Sequence, residues 1–149
     1  MLNYLRVRVG DETLAEELTA ATFAQAFAKR HQLRNVAAFP GWLFRIAHNE
    51  LAQHFRRRAN RGTVAVDFDF LAALPAPGLE PDEVIVRQQQ GQVMLQALLT
   101  LPLREQEILD LKFVAGLSNV QVAEATGLTP SNVGVIVFRA LRKLRAAMQ

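Results

Sequence analysis

Residues 117–144 read LSNVQVAEATGLTPSNVGVIVFRALRKL, and the rest of the chain makes most sense as the surroundings of this stretch. Ser118 stands where a hydroxyl can cap a helix whose apolar side is Val122, Ala123 and Thr126. Gly127 comes next, where a helix ending on a left-handed residue does best without a Cβ. Leu128 points back into the hairpin, and Thr129-Pro130-Ser131 restarts a helix with a hydroxyl cap and an early, tolerated proline. The second helix places Val133, Ile136 or Val137, Ala140, Leu141 and Leu144 inward at spacings of three and four. Arg139, Arg142, Lys143 and Arg145 gather at its far end. A helix pair joined by so short a turn, with the small Ala123 permitting close approach, reads as a helix-turn-helix whose second helix can enter a major groove. An ordinary helical hairpin with a solvated basic end is the competing reading.

Upstream, a helix is expected over Arg104 to Ala115 with Ile108, Leu109, Leu111 and Phe113 inward, ended by Gly116. Before it another runs from Asp82 through Val84, Ile85, Val93, Leu95, Leu98 and Leu99 to Leu101, where Pro102 stops it. These four helices form a module over residues 82–149. Residues 61–81 carry Pro75, Pro77, Gly78 and Pro81 among concentrated acids and read as a linker. Within it Val64, Val66, Phe68 and Phe70 alternate with Thr63, Ala65, Asp67 and Asp69, the period of a strand, yet no second strand is available to pair with it. An extended segment is expected there.

Residues 1–60 form a first helical module, giving an all-α chain of two small modules. Leu2, Leu5 and Val9 lie at helical spacing before Gly10, so the chain opens inside a helix and its N-terminus looks shortened. Thr13 and Glu16 have capping-box spacing at the head of a second helix, whose inward side would be Leu14, Ala15, Leu18, Thr22, Phe23, Ala26 and Phe27. Glu12, Glu16, Glu17 and Gln25 occupy its other side, which suits either a protein partner or plain solvent. After a loop over residues 31–38, a long helix opens at Phe39-Pro40-Gly41-Trp42. It carries two apolar stripes, Leu43, Ile46 and Ala47 on one side, with Phe44, Leu51 and Phe55 on the other. Between them Arg45, Asn49, Gln53 and Arg57 recur every fourth residue and merge into Arg56, Arg58 and Arg61. Amides can pair with base edges while arginines neutralise phosphates, so the row suits nucleic acid; a solvated face is the bland alternative. Phe39 and Trp42 could stack on unpaired bases, although core packing is the commoner role of such residues.

Charge supports two polyanion-facing modules. Residues 1–62 hold ten Lys or Arg against five acids, residues 63–83 hold five acids and no base, and residues 84–149 hold seven against four. With half of its 149 residues hydrophobic the chain can bury a core, and the lack of cysteine removes disulfides and thiolate metal sites. No run is long and apolar enough to suggest a membrane span or an export signal, so a cytoplasmic protein without membrane association is expected. His31, His48 and His54 lack the spacing of a helical metal pair, and no nucleophile sits beside a base, so neither metal, cofactor nor enzymatic activity is expected. His54 falls four after Glu50, as in a surface pair.

The chain resembles the extracytoplasmic-function (ECF) type of bacterial RNA polymerase sigma factor, of the sigma-seventy family. The similarity rests on Gly10-Asp11 with Ala15-Glu16-Glu17-Leu18-Thr19 and Thr22-Phe23, on Trp42-Leu43-Phe44-Arg45-Ile46-Ala47 with Asn49, and on Leu101-Pro102, Arg104, Glu105, Leu109, Gly116-Leu117-Ser118, Ala123-Glu124 and Gly127. It implies a transcription initiation factor with core RNA polymerase and promoter DNA as partners and an anti-sigma factor as a further one. Glu16, Glu17 and Thr19 would dock on the polymerase clamp. Arg45, Asn49, Gln53, Arg56, Arg57 and Arg58, with the loop before them, would take a flipped base of the minus-ten element. In the minus-thirty-five element Ser131, Asn132 and Val135 would face bases, Val135 through thymine methyls, and Arg139, Arg142 and Lys143 would hold phosphates. Two alternatives stay open: a stand-alone helix-turn-helix regulator, and a degenerate sigma-like protein that binds only protein, which the apolar Gly134-Val135-Ile136 of the reading helix would suit.

Overall fold

The computed structural model describes residues 1–59 and 81–149, and the side chains of residues 1–58 and 89–149. The alternating stretch from Val64 to Phe70 and the prolines at positions 75 and 77 lie outside the described residues. Every regular element among the described residues is helical. Helix α1 spans Leu2–Val9 and α2 Glu12–Ala28. Two short 3-10 turns, Arg30–Gln32 and Val36–Ala38, occupy the expected loop and lead into α3, Phe39–Ala59. Helix α4 spans Pro81–Leu99 and α5 Leu103–Leu109, the latter running on into a π-helical turn over Asp110–Val114. Helices α6, Asn119–Thr126, and α7, Pro130–Ala147, form the hairpin.

Local chemistry accounts for most of the boundaries. Helix α2 is capped by Asp11, whose carboxylate accepts from the Leu14 backbone N–H at 2.9 Å, and not by a Thr13–Glu16 box. The acid two residues upstream reaches the first free N–H groups, which places Thr13 inside the helix. Ser118 and Gln121 form a reciprocal capping box on α6, and Thr129 Oγ1 accepts from Asn132 N–H at 3.2 Å to cap α7, with Pro130 at its first position. Gly127 adopts φ 75°, closing α6 in the left-handed conformation the turn requires.

The two halves share one core. Tyr4, Leu5 and Val9 of α1, Ala15 and Leu18 of α2, and Phe44, Ala47 and Leu51 of α3 are buried with Ile108, Leu111, Val122, Ala123 and Val133 of the second half. Helix α3 is the hub, packed on α2 along one side and on α6 along another. Gly41 makes the second packing possible. A Cβ there would meet the Glu124 side chain, with Glu124 Cβ at 2.9 Å and Gln121 backbone O at 3.1 Å. A smaller cluster joins Ala97 and Leu101 to Leu109, Ala140 and Leu144.

Several side chains expected inside face solvent. Phe113 is 60% exposed because the π turn, closed by Ala115 N–H onto Asp110 O at 2.9 Å, inserts one residue and rotates the rest of the helix. Asp110, which stands before that rotation and three residues after buried Glu107, faces inward by the ordinary helical period. Phe23 and Phe27 are exposed because α1 and α3 cover only the Ala15, Leu18, Thr22 and Ala26 side of α2. Val93 and Leu99 are exposed because, among the described side chains of α4, it is Ala97 and Leu98 that face the cluster with Leu101. Leu141 is exposed beside buried Ala140 and Leu144, since α4 and α5 meet α7 along that narrower seam.

Candidate nucleic-acid interface

Helix α3 is enclosed on so many sides that its exposed surface is a single line. From Trp42 to Arg58 the fully exposed residues are Arg45, Asn49, Gln53, Arg56 and Arg57. Arg57 donates to Gln53 Oε1 at 3.4 Å, and Arg58 is turned half inward. The predicted polar row is therefore one continuous surface. Trp42 is half-buried against Ala26, Leu43 and Ile46, so its role is packing, while Phe39 stays partly open 6.2 Å from it.

His54 lies beside this row without a bond to Glu50. Its ring packs near Phe55, Nε2 is buried without a protein partner, and burial lowers its pKa, with the Arg58 and Arg57 charges adding to the effect. The row thus remains cationic through its arginines, while the histidine is held neutral near pH 7.

On the second half, Ser131, Asn132, Val135, Arg139, Arg142 and Lys143 are all exposed on α7. Ser131, Val135, Phe138 and Arg142 fall four, three and four residues apart and so form one stripe. Arg142 leans over the Phe138 ring at 5.9 Å, and Lys143 donates to Glu105 Oε1 at 2.7 Å. Arg139 and Arg142 thus make no ion pair among the described residues, whereas Lys143 makes one. Phe138, 62% exposed, is a surface residue that sequence reasoning missed; its place on the Ser131–Arg142 stripe was the signal available.

Helix α2 offers a surface of another kind. Glu16 and Glu17 are exposed, while the Thr19 hydroxyl is spent on the Ala15 carbonyl at 2.7 Å. Glu16, Ala20, Phe23 and Phe27 form one exposed stripe, acidic at its start and aromatic at its end, with the Arg30 guanidinium 4.2 Å from the Phe27 ring centre. Exposed aromatics beside acids suit a protein surface better than a phosphate backbone. Among the described residues no group of three or more His, Asp or Glu side chains could hold a metal ion, and no helix is long and apolar enough to cross a membrane.

A helix-turn-helix, a polar arginine-bearing row and an all-helical frame define a DNA-binding transcription protein. Comparison with known proteins narrows the class. Residues 1–61 match the family model for Sigma-70 region 2, and residues 91–144 match that for Sigma-70, region 4. ECF RNA polymerase sigma factor BldN of Streptomyces coelicolor is 30% identical over 147 residues, covering 95% of this chain and 53% of the relative, so the chain spans about half of that protein. ECF RNA polymerase sigma factor ShbA of Streptomyces griseus is 30% identical over 91% of this chain and 70% of its own. In structure, the sigma factor RpoE of Bartonella quintana, solved in complex with the anti-sigma factor NepR, matches with a TM-score of 0.73 at 23% identity over 99% of this chain and 88% of that one. The chain belongs to the ECF sigma factors of the sigma-70 family. With both regions matched, neither a stand-alone helix-turn-helix regulator nor a protein-only binder is favoured.

Proposed function

We propose that this chain binds core RNA polymerase through the Glu16–Glu17–Phe23–Phe27 surface of α2 and directs it to promoters with two separate DNA faces. In this reading residues 1–60 serve clamp binding and minus-ten recognition, residues 82–149 serve minus-thirty-five recognition, and the acidic linker of residues 61–81 connects them. The chain itself is no enzyme, needs no cofactor and acts in the cytoplasm. An anti-sigma factor is a further partner. The observation that carries the reading is the reduction of α3 to one exposed line, Arg45, Asn49, Gln53, Arg56 and Arg57, beside a fully capped helix-turn-helix.

Each face has its own chemistry. Asn49 sits mid-row, exposed, with the oxygen and the nitrogen of its amide placed to pair with a base edge, and the arginines around it neutralise phosphates. Unstacking a base costs a few kcal/mol, which those contacts offset. On α7, Ser131 and Asn132 supply hydrogen bonds near the helix start, Val135 supplies apolar surface for thymine methyls, and Arg139, Arg142 and Lys143 supply phosphate contacts.

The test is transcription in vitro with purified core polymerase on a genomic fragment library, mapping new starts. Starts that share two spaced upstream elements are expected. Asn49→Ala should lower transcription from such a promoter while leaving core binding intact, and Phe27→Ala should weaken core binding. Unchanged promoter opening by Asn49→Ala would remove that residue from recognition.

A further inference from the structure

Between its capped start and its first arginine, helix α7 carries no charge. Residues 130–138 read PSNVGVIVF, and the first basic side chain is Arg139. In a helix-turn-helix the opening turns of the second helix face base edges. The commonest contact to guanine, a bidentate Arg or Lys on O6 and N7, therefore has no donor in the part of α7 that enters the groove first. Ser131 and Asn132 are the polar side chains there. Val133 is buried, and Ile136 and Val137 pack against the core, so the exposed side chains that follow are Val135 and Phe138, 44% and 62% exposed.

These two residues share the Ser131–Arg142 stripe. Three apart on a helix, they are separated by about 4.5 Å along its axis, close to the ~3.4 Å rise of one base-pair step. Gly134 leaves their flank open. It stands four residues before Phe138, and a Cβ on it would have only Asn119 Nδ2 at 3.6 Å, an ordinary contact, so packing does not demand a glycine there. A glycine inside a helix costs stability relative to alanine, and here it clears space beside the Phe138 ring. The Arg142 guanidinium lies 5.9 Å from that ring, and Arg139 and Arg142 make no ion pair among the described residues. Cations suited to phosphate thus flank an apolar pair. Of the four DNA bases only thymine shows an apolar group in the major groove, its C5-methyl, and Phe is among the side chains that pack on it. 5-Methylcytosine carries the same group on the same ring atom.

We propose that Phe138 completes, with Val135, an apolar seat for the C5-methyl groups of two neighbouring base pairs, so that this helix selects DNA by pyrimidine methyls and takes 5-methylcytosine where it takes thymine. The inference rests on the promoter reading above and deepens it. Burying one methyl changes affinity by about fourfold, and burying two by about fifteenfold. Cytosine-C5 methylation at a seat position would raise promoter affinity by about fourfold with no change of sequence, a regulatory input carried by the DNA itself.

The test uses purified core polymerase with the full-length chain and a promoter fragment taken from the mapped starts. Its upstream element is synthesised with each thymine in turn replaced by deoxyuridine, which removes the methyl and keeps the O4 acceptor. Deoxyuridine at either of two neighbouring base pairs should lower affinity by about fourfold in competition binding. At the same positions 5-methylcytosine should bind more tightly than cytosine by the same factor. Val135→Ala should erase the methyl effect at one position and Phe138→Ala at the other; both side chains are exposed, so helix content by circular dichroism should be kept. Equal binding of thymine and deoxyuridine duplexes at every position would overturn the seat while leaving the promoter reading intact. A methyl effect that survives in both variants would overturn it as well, because the effect would then belong to the stiffness of the DNA. Starts that share no upstream element would instead remove the promoter reading, and this inference with it.

Discussion

Removing the Tyr4 hydroxyl should stabilise the protein, against the usual direction of a core substitution. Tyr4 is fully buried, its ring meets Phe44 edge-on at 5.4 Å and an interplanar angle of 74°, and its hydroxyl has no protein partner. Burial, with Glu107 and Asp110 nearby, raises its pKa so that the group stays neutral, and a neutral hydroxyl buried without a partner costs about 1–3 kcal/mol. Tyr4→Phe keeps the ring and its packing and deletes only the polar atom. A gain of about 1–2 kcal/mol is expected, or a rise in Tm of roughly 2–4 °C for each kcal/mol in a chain of this size. Urea unfolding monitored by far-ultraviolet circular dichroism measures it, and an unchanged m-value would show that the same surface is exposed. Because Tyr4 lies against the second half, the gain belongs to the packing between the halves. A loss of about 1 kcal/mol, the net worth of one hydrogen bond, would refute the reasoning by revealing a bond to the hydroxyl.

Arg142→Ala should weaken DNA binding and reduce the slope of log affinity against log salt by about 1, because one phosphate contact is lost. Lys143→Ala should do less, since Lys143 must first leave Glu105; equal slopes for the two would contradict that pairing. Ile108→Ala should cost about 2–5 kcal/mol as a fully buried aliphatic at the junction of both halves, and should lower one cooperative transition. Separate transitions for the two halves would show that the common core does not couple them. The His54 ring should titrate in proton NMR below its ordinary value, because burial and the neighbouring arginines oppose its charge. Its contribution to stability is present above the unfolded pKa of about 6.5 and is lost as pH falls through the folded value. A titration at or above the ordinary value would dispose of that environment.

The parts of the fold legible in the sequence were those with local causes. Ser118, Gly127, Thr129 and Pro130 each act on backbone groups within four residues, so the hairpin could be read from spacing and capping chemistry alone. The row Arg45, Asn49, Gln53 and Arg57 was legible because the helical period places those residues on one line whatever surrounds the helix. The features that could not be read depended on partners distant in sequence. Phe23 and Phe27 have the same periodicity as Leu18 and Ala26, and only the reach of α1 and α3 decides which of them is covered. His48–Glu107 and Arg8–Asp110 join residues 59 and 102 apart, with no periodic trace in either segment. The division into two modules hid the common core for the same reason.

The π turn shows how one extra residue links these features. Had α5 continued as a regular α-helix through Val114, Phe113 would follow the buried side occupied by Leu109. The wider turn at Asp110–Val114 instead leaves Phe113 outside. Asp110 stands before that rotation, three residues after buried Glu107, and so keeps to the inward side, where it pairs with Arg8. The ion pair adds little net stability to the contact, and fully buried Ile108 and Leu111 on either side hold it together. The sequence of α5 thus determines what meets the first half: two aliphatic side chains with a carboxylate between them.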